Sequence, residues 1–503
     1  MKLGEVLERV AVVANGADPA TEVASLACDS RRVHPGTLFF AIQGAKADGH
    51  AFVPQALERG AVAVVSERPA PEGLASRWIQ VCKIRRALSE ASRTFLGRPD
   101  HRLRLVGITG TNGKTTTAFI LESIFRAAGI PSGLFGTVEY RFAGKTVIAG
   151  NTTPESLDLL TYMEELVRAG GQAAVLEVSS HALAQERVWG FPFSVAIFTN
   201  LTRDHLDFHK DFEHYFAAKR RLFEGLGAPP PELAVLNADD PWARKLLDVA
   251  NPRRLTFGLN SDAEVKAKQV SQTLDGLHAT LVTPQGTFEI ESRLVGRANL
   301  SNILAASAAA LGMGLPHEKI QDGVAALAAV PGRFERVDEG QSFLVVVDYA
   351  HTDDALRNVL KAARELTKNR LMVVFGCGGD RDRSKRPLMG EAAGSLADFV
   401  VLTSDNPRSE DPLLVMNDAL VGLQKSKAEY VAEVDREAAI RKAIEIAGDG
   451  DVVVIAGKGH ETHQILKDRT IPFDDREVAR RVLREMGFEG KASPNGRRKN
   501  GRA

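Results

Sequence analysis

The sequence predicts an α/β protein of about three domains, and three observations carry that prediction. The chain is 503 residues long, enough for several hydrophobic cores. Leu103 to Phe125 reads as a strand, a glycine turn and a helix. From about residue 335 onward, short apolar runs alternate with helical patterns, the signature of a parallel sheet.

Residues up to about 100 form a unit without the glycine turn. Thr37 to Ile42 reads as a strand entered through Pro35-Gly36, Phe52 to Arg59 as a helix, and Ala61 to Val65 as a second strand. Asp29, Ser30 and Arg31 read equally well as a solvated turn.

The central element runs Leu103-Arg104-Leu105-Val106-Gly107-Ile108, turns through Gly110, Thr111, Asn112 and Gly113, and becomes helical at Lys114. Phe119, Ile120 and Ile124 give the helix its apolar face, and Gly129 and Pro131 end it. A glycine turn opening a helix makes an anion site. The exposed N–H groups and helix dipole attract phosphate, Lys114 adds a charge, and Thr115 offers Mg²⁺ a hydroxyl. The glycine usual five residues before Gly113 is Ile108 here, so the loop is a short variant.

Beyond it lie Asn151-Thr152-Thr153-Pro154, an amphipathic helix, and a buried strand, Ala173 to Leu176, that runs into Glu177. A carboxylate at such a strand exit sits where α/β sheets bind ligands; Glu177 is a candidate Mg²⁺ ligand or a structural residue. The next strand, Val195 to Phe198, exits into a loop crowded with Asp204, His205, Asp207 and His209, a metal or catalytic edge. In the helix that follows, Phe212, Phe216 and Phe223 form one stripe, and Lys219 falls in the middle of it. A lysine there must be paired, snorkelling or chemically altered; desolvation would leave a neutral amine able to take up CO₂ as a carbamate. Ala234 to Leu236 is a further strand, Asn260 to Glu291 predicts small antiparallel strands with turns near Asp275-Gly276 and Pro284 to Gly286, and Asn302 to Leu311 an alanine-rich helix.

In the last third, strands at Phe343 to Val347, Leu371 to Phe375, Phe399 to Leu402 and Val452 to Ala456 each exit into a polar or glycine-rich loop. One sheet edge should gather Asp348, Arg381, Asp405, Arg408 and Glu461 into a single cleft, whose mixed charge suits a zwitterion such as an amino acid. The closing stretch, KASPNGRRKNGRA, is basic, without large apolar residues, and expected to be disordered and solubilising.

The charge balance is zero and the composition ordinary, 44% apolar and 25% charged, so nothing global favours nucleic acid or an anionic membrane. Cys28, Cys82 and Cys377 have no metal-type spacing, the first residues lack a signal-peptide pattern, and no apolar run reaches membrane-spanning length. The expectation is a cytoplasmic monomer that neither binds nucleic acid nor inserts in membranes. A phosphate loop facing a zwitterion cleft suggests kinase chemistry or ATP-driven ligation through an acyl phosphate.

GTNGKTT, NTTP, LEVSSHAL, NLTRDHLDFH, AAKRRLF, GRFERV, DYAHT, GCGGDRD, KRPLM, DNPR and GKGHE, in this order, resemble the Mur ligase family, and specifically its MurE branch. The resemblance implies an N-terminal UDP-sugar-binding α/β domain (1–100), a central P-loop ATPase α/β domain (101–333) and a C-terminal Rossmann-like α/β domain for the amino acid (334–490). A basic tail, 491–503, follows. The implied reaction joins meso-diaminopimelate to UDP-N-acetylmuramoyl-L-alanyl-D-glutamate with Mg²⁺ and ATP. By that resemblance Ser30, Ala45, Lys46 and Ala47 would touch the uridine nucleotide. Asn151, Thr152, Thr153, Ser179, Gln185 and Arg187 would hold the muramoyl dipeptide. Gly110, Thr111, Asn112, Gly113, Lys114, Thr115 and Thr116 would cradle ATP phosphates, with Asn299, Arg333 and Asp348 also on the nucleotide. Lys114, Glu177, His205 and Lys219 would be catalytic. Thr115, Glu177, His205 and Lys219, as the carbamate, would stand near the metal.

Arg381, Asp405, Asn406, Pro407, Arg408, Gly457 and Glu461 would face diaminopimelate. That diamino acid differs from lysine by a distal carboxylate, which an arginine can bind bidentately, and Arg408 marks the diaminopimelate-adding type. Two positions depart from the family pattern: Asp353, where proline is common, and Ala298, where an aromatic is frequent. A folylpolyglutamate synthase is the nearest rival, and the N-terminal stretch CDSRRVHPGTLFFAIQGAKADGHAF, which resembles the UDP-sugar block of the MurE branch, argues against it.

Overall fold

The structure, a computed structural model, describes residues 1–44, 47–249, 253–273 and 276–488. Ala45 and Lys46, the turn position Asp275 and the tail 491–503 lie outside the described residues.

Three sheets organise the chain. The first has five strands: Thr37–Phe40 and Ala61–Ser66 lie at its centre and pair in parallel, while Val12–Asn15 closes one edge antiparallel. The two central strands are almost wholly buried, which is why their residues are largely apolar without alternation.

The second sheet has eleven strands. Its heart is parallel: Arg104–Thr109 lies between Ala173–Glu177 and Phe193–Phe198. The chain thus leaves Arg104–Thr109, builds one side of the sheet, and crosses to the other. The crevice at that reversal is where open α/β sheets bind ligands. The expected antiparallel strands are Val265–Thr273, Gly276–Thr283 and Gly286–Ser292, and they extend this same sheet. The alanine-rich helix begins earlier than its composition suggests, at Arg297, and runs to Gly312 against the phosphate-loop helix Lys114–Ala127. Both are buried nearly all round, because the sheet lies on one side and a further helix, His317–Ala326, on another.

The third sheet has six strands, with Leu344–Asp348, Leu371–Phe375, Phe399–Thr403 and Val452–Ala456 in parallel register. Their C-terminal ends share one edge, as the alternating pattern predicted, and that edge faces the phosphate loop of the second sheet.

Candidate active site

The phosphate loop is shaped by its neighbours. Gly113 sits at φ +85°, and a Cβ there would lie 2.3 Å from Asn302 Oδ1, so the left-handed backbone and the close approach both demand glycine. Thr111 N donates to Asn200 O and Asn112 N to Asn200 Oδ1, each at 2.9 Å. Lys114 Nζ turns back on its own loop, donating to Gly110 O at 2.9 Å and Thr111 O at 2.8 Å.

Lys219 lies on helix Phe212–Glu224 among Tyr215, Phe216, Leu222 and Phe223, all buried, as the stripe predicted. Its side chain does not snorkel. It is 1% exposed, donates to Gly110 O at 2.8 Å, and stands 4.5 Å over the Tyr215 ring. Burial, reinforced by the Lys114 charge and opposed by Asp204, holds its pKa well below the ordinary 10.5.

Glu177 ends strand Ala173–Glu177 beside the loop. Its Oε2 accepts from the Thr115 and Thr137 hydroxyls, each at 2.9 Å, and its Oε1 accepts from Thr137 N at 2.8 Å. Gly136 makes room for it, since a Cβ there would fall 2.2 Å from Oε1. From the C-terminal side, Arg333 Nη2 donates to Thr115 Oγ1 at 3.2 Å while its guanidinium stacks 4.5 Å over Tyr349.

These groups open on a cavity of about 280 Å³ between the second and third sheets. Thr111 to Thr116, Glu177, Asn299, Arg333 and Asp348 all line it, and so does Ala298. Asn299 is braced by the residues that lead into its helix, Nδ2 donating to Val295 O at 2.8 Å. Asp348 corrects the sheet-edge expectation. It lines this cavity rather than the zwitterion cleft, because its carboxylate turns to cap Phe334 N (2.7 Å) and Ala350 N (2.8 Å). Burial pushes its pKa up, against the pull of Arg333.

A second cavity, about 570 Å³, adjoins the first. The two share Thr152, Ser179, Asp204, His205, Tyr349, His351 and Thr352 on their walls. His205 takes a left-handed φ of +54°, which turns its ring against His181, 4.7 Å between centroids. Burial pulls its pKa down to about 3 despite Asp204 beside it, so the imidazole is neutral at neutral pH and keeps a lone pair to offer.

One end of this cavity is lined by Asn151, Thr152, Ser179 and Arg187. Thr153 and Gln185 stand behind them. Thr153 Oγ1 accepts from Ser179 N at 3.0 Å, and Arg187 donates to Thr153 O and Gln185 Oε1, each at 2.9 Å. The other end holds Arg381, Asp405, Asn406, Arg408, Gly457 and Glu461. Arg408, at φ +54°, is pinned by Arg408 N to Ile465 O (3.1 Å) and Nη1 to Gly379 O (2.7 Å). Pro407 lines neither cavity; its carbonyl packs on Gly379, where a Cβ would lie 1.9 Å away. Gly110 and Lys219 lie behind the first cavity's wall. Ser30 lines neither cavity; its hydroxyl donates to Gln55 Oε1 at 2.7 Å in the first unit, and Ala47 also stands apart from both.

Several wall residues escaped the sequence reading as individuals. Tyr349, His351 and Thr352 lie inside a quoted motif, but only the facing of two sheets puts them between cavities. Lys458, wholly buried under Asn406 and Glu461, carried no signal beyond its own motif.

Among the described residues no cluster of three or more His, Cys, Asp or Glu could hold a metal alone. The paired Thr115 hydroxyl and Glu177 carboxylate nonetheless fit Mg²⁺, which binds through one or two protein oxygens and completes its shell with phosphates and water.

Comparison with known proteins agrees with this geometry. Three family models match: Mur ligase family, catalytic domain, over residues 22–96; Mur ligase middle domain over 108–310; and Mur ligase, glutamate ligase domain, over 332–459. A protein of Solibacter usitatus (strain Ellin6076), named UDP-N-acetylmuramoyl-L-alanyl-D-glutamate–2,6-diaminopimelate ligase, is 58% identical over 97% of this chain and 99% of its own length. A protein of the same name from Geobacter metallireducens is 47% identical over 96% of this chain and 99% of its own. A solved structure of that name superposes with a TM-score of 0.68 at 35% identity, covering 97% of this chain and 99% of the other. With all three units matched and relatives aligned along nearly their whole length, the chain belongs to the Mur ligase family and is of the MurE type.

Proposed function

We propose that the protein is an ATP-dependent ligase joining meso-diaminopimelate to UDP-N-acetylmuramoyl-L-alanyl-D-glutamate in the synthesis of peptidoglycan precursors. The observation that carries this reading is the shared wall of the two cavities. A phosphate loop opens into one, a cleft with both arginines and carboxylates closes the other, and both meet at Thr152, Ser179 and His205.

In this reading the first unit holds the UDP-sugar, the second ATP, and the third the amino acid. The terminal phosphoryl of ATP passes to the glutamate carboxylate, giving ADP and an acyl phosphate. The amine of diaminopimelate attacks that carbonyl, a proton leaves the nitrogen, and phosphate departs. Thr115, Glu177 and His205 would hold Mg²⁺, which supplies charge neutralisation on the phosphates. Lys114 leaves its own loop carbonyls for the phosphates, and Arg333 reaches the same place across the gap. Lys219, as the carbamate, would bring a negative charge to the metal side of Gly110.

Arg187, beside Asn151 and Thr152, orients the anionic dipeptide end, and Arg381 and Arg408 take carboxylates of the incoming amino acid. The reading also makes the protein cytoplasmic, where its precursors are; no helix among the described residues is long and apolar enough to cross a membrane. Amide formation with ATP, Mg²⁺ and the UDP-muramoyl dipeptide, offering meso-diaminopimelate and L-lysine in parallel, tests it. Product with diaminopimelate alone is the expected outcome. Preference for lysine would keep the ligase and remove the role of Arg408, and no product with either would overturn the reading.

A further inference from the structure

We propose that Lys458 is a positioning residue for an ammonium group of the incoming amino acid, acting through Glu461 and Asn406. The inference rests on the second cavity being the diamino-acid site. Lys458 follows strand Val452–Ala456 and is wholly buried. Its Nζ donates to Asn406 Oδ1 at 3.1 Å and to Glu461 Oε2 at 3.2 Å, tying together two loops that leave different strands.

The network leaves Asn406 one orientation. Its Oδ1 accepts from Lys458 Nζ and from Ile465 N (2.9 Å), so its Nδ2 must face away from both, and it donates to Glu461 Oε2 at 2.8 Å. One oxygen of Glu461 therefore takes two donors. Among the described residues no hydrogen bond reaches the other, Oε1, and the side chain, 23% exposed, stands on the cavity wall. A carboxylate anchored by one oxygen presents the other at a set angle, the arrangement that suits an ammonium with three donors.

The same cation governs where charge lies. Arg381 and Arg408 line this cavity together, with Gly378 left bare between them (a Cβ there would lie 3.0 Å from Arg408 Nη1 and 3.8 Å from Arg381 Cγ). They form its carboxylate-binding end, and Glu461 with Asp405 forms the ammonium-binding end. Without Lys458 the Asn406 acceptor is held by Ile465 N alone, and Glu461 Oε2 loses one of its two donors together with the cation beneath it, so the carboxylate is no longer fixed on its seat.

The test is steady-state kinetics of the full-length protein with all three substrates, comparing Lys458→Met, Glu461→Gln and the double variant. Lys458→Met is expected to raise KM for meso-diaminopimelate about tenfold or more, the scale of a lost charge-assisted contact, while KM for ATP and for the UDP-muramoyl dipeptide moves less than about twofold. The double variant is expected to be no worse than Glu461→Gln, because the lysine acts through that carboxylate. Lys458→Gln, which keeps a donor, is expected to recover part of the loss. Additive effects, or equal rises in all three KM values, would overturn the proposal. Failure of both Lys458 variants to fold would also overturn it, assigning the lysine to the fold alone. Inactive wild-type protein would instead sink the diamino-acid reading beneath it.

Discussion

Lys114 and Lys219 donate to the same oxygen, Gly110 O, at 2.9 and 2.8 Å. A wholly buried ammonium group and a half-buried one thus crowd one loop carbonyl, and the Lys114 charge lowers the affinity of Lys219 for its proton. Burial contributes most to both shifts, and repulsion from Lys114 adds to the effect at Lys219. Such a pair costs stability in the resting protein, which is the expected mark of groups kept for chemistry.

Lys219→Met should therefore separate stability from function. Lys219 has its pKa held below the ordinary 10.5 in the fold. Between the folded and unfolded values the unfolded chain binds more protons, so this site's contribution to stability rises with pH towards 10.5, and its penalty is fully present below the folded pKa. In bicarbonate-free buffer at neutral pH, removing the amine should raise the thermal midpoint by about 2–4 °C, the shift ~1 kcal/mol produces in a domain of this size. The same variant should lose ligation by about 10²-fold or more, as removal of a key charge in a reacting site does, with no rescue by bicarbonate. Near-normal turnover would take Lys219 out of the reaction.

Glu177→Gln tests the metal side. Glu177 accepts from Thr115, a hydroxyl that Arg333 also reaches. The amide keeps the shape and loses the charge, so the Mg²⁺ concentration for half-maximal activity should rise about tenfold or more. Titration of activity against Mg²⁺ at saturating substrates measures it; an unchanged midpoint would make Glu177 a purely structural acceptor.

Arg408→Lys tests the distal carboxylate. A lysine cannot reproduce the planar fork, so the loss should be about 1.5–3 kcal/mol in kcat/KM for diaminopimelate, with L-lysine still giving no product. Equal kinetics for diaminopimelate would remove Arg408 from recognition.

Asp475→Asn tests the floor of the same site. Arg436 and Asp475 are both wholly buried and joined by two hydrogen bonds, 2.8 and 2.7 Å, while Arg436 also donates to Ala456 O at 2.9 Å, just before Gly457. Breaking one half of such a pair leaves an uncompensated charge, so the variant should destabilise the C-terminal unit by about 3–5 kcal/mol in denaturant unfolding. A loss under ~1 kcal/mol would mean that water or a neighbour replaces the carboxylate.

Much of this architecture could be read along the chain. Continuous apolar runs such as Leu371–Phe375 and Val452–Ala456 are strands with both faces covered, and each was bounded within a residue or so by its polar exit. Lys219 was conspicuous because a single cation interrupts an aromatic stripe with helical spacing. Short strands near the sheet's edge such as Glu139–Phe142 and Lys145–Ile148 went unread, because four residues carry too little periodicity. The strand-exit pattern alone put Asp348 in the zwitterion cleft, whereas the family resemblance put it beside the nucleotide loop, the cavity it lines; a strand exit specifies an edge of the sheet and not the direction in which a side chain turns there.

The sequence by itself determined the α/β class, the phosphate loop, the family and the set of charged residues that gather at strand ends. These follow from local spacing: glycines where φ must be positive, apolar residues where both faces are buried, and charge where strands stop. Only the tertiary structure decided that the two sheet edges face each other and that their cavities share a wall. It alone decided, too, that Lys219 meets Gly110 O rather than solvent, and that Lys458 lies beneath Asn406 and Glu461. Apart from Lys458 and Glu461, which share one loop, those relations join residues from about 50 to more than 200 positions apart, and their physical cause is the packing of whole units, which no local pattern encodes.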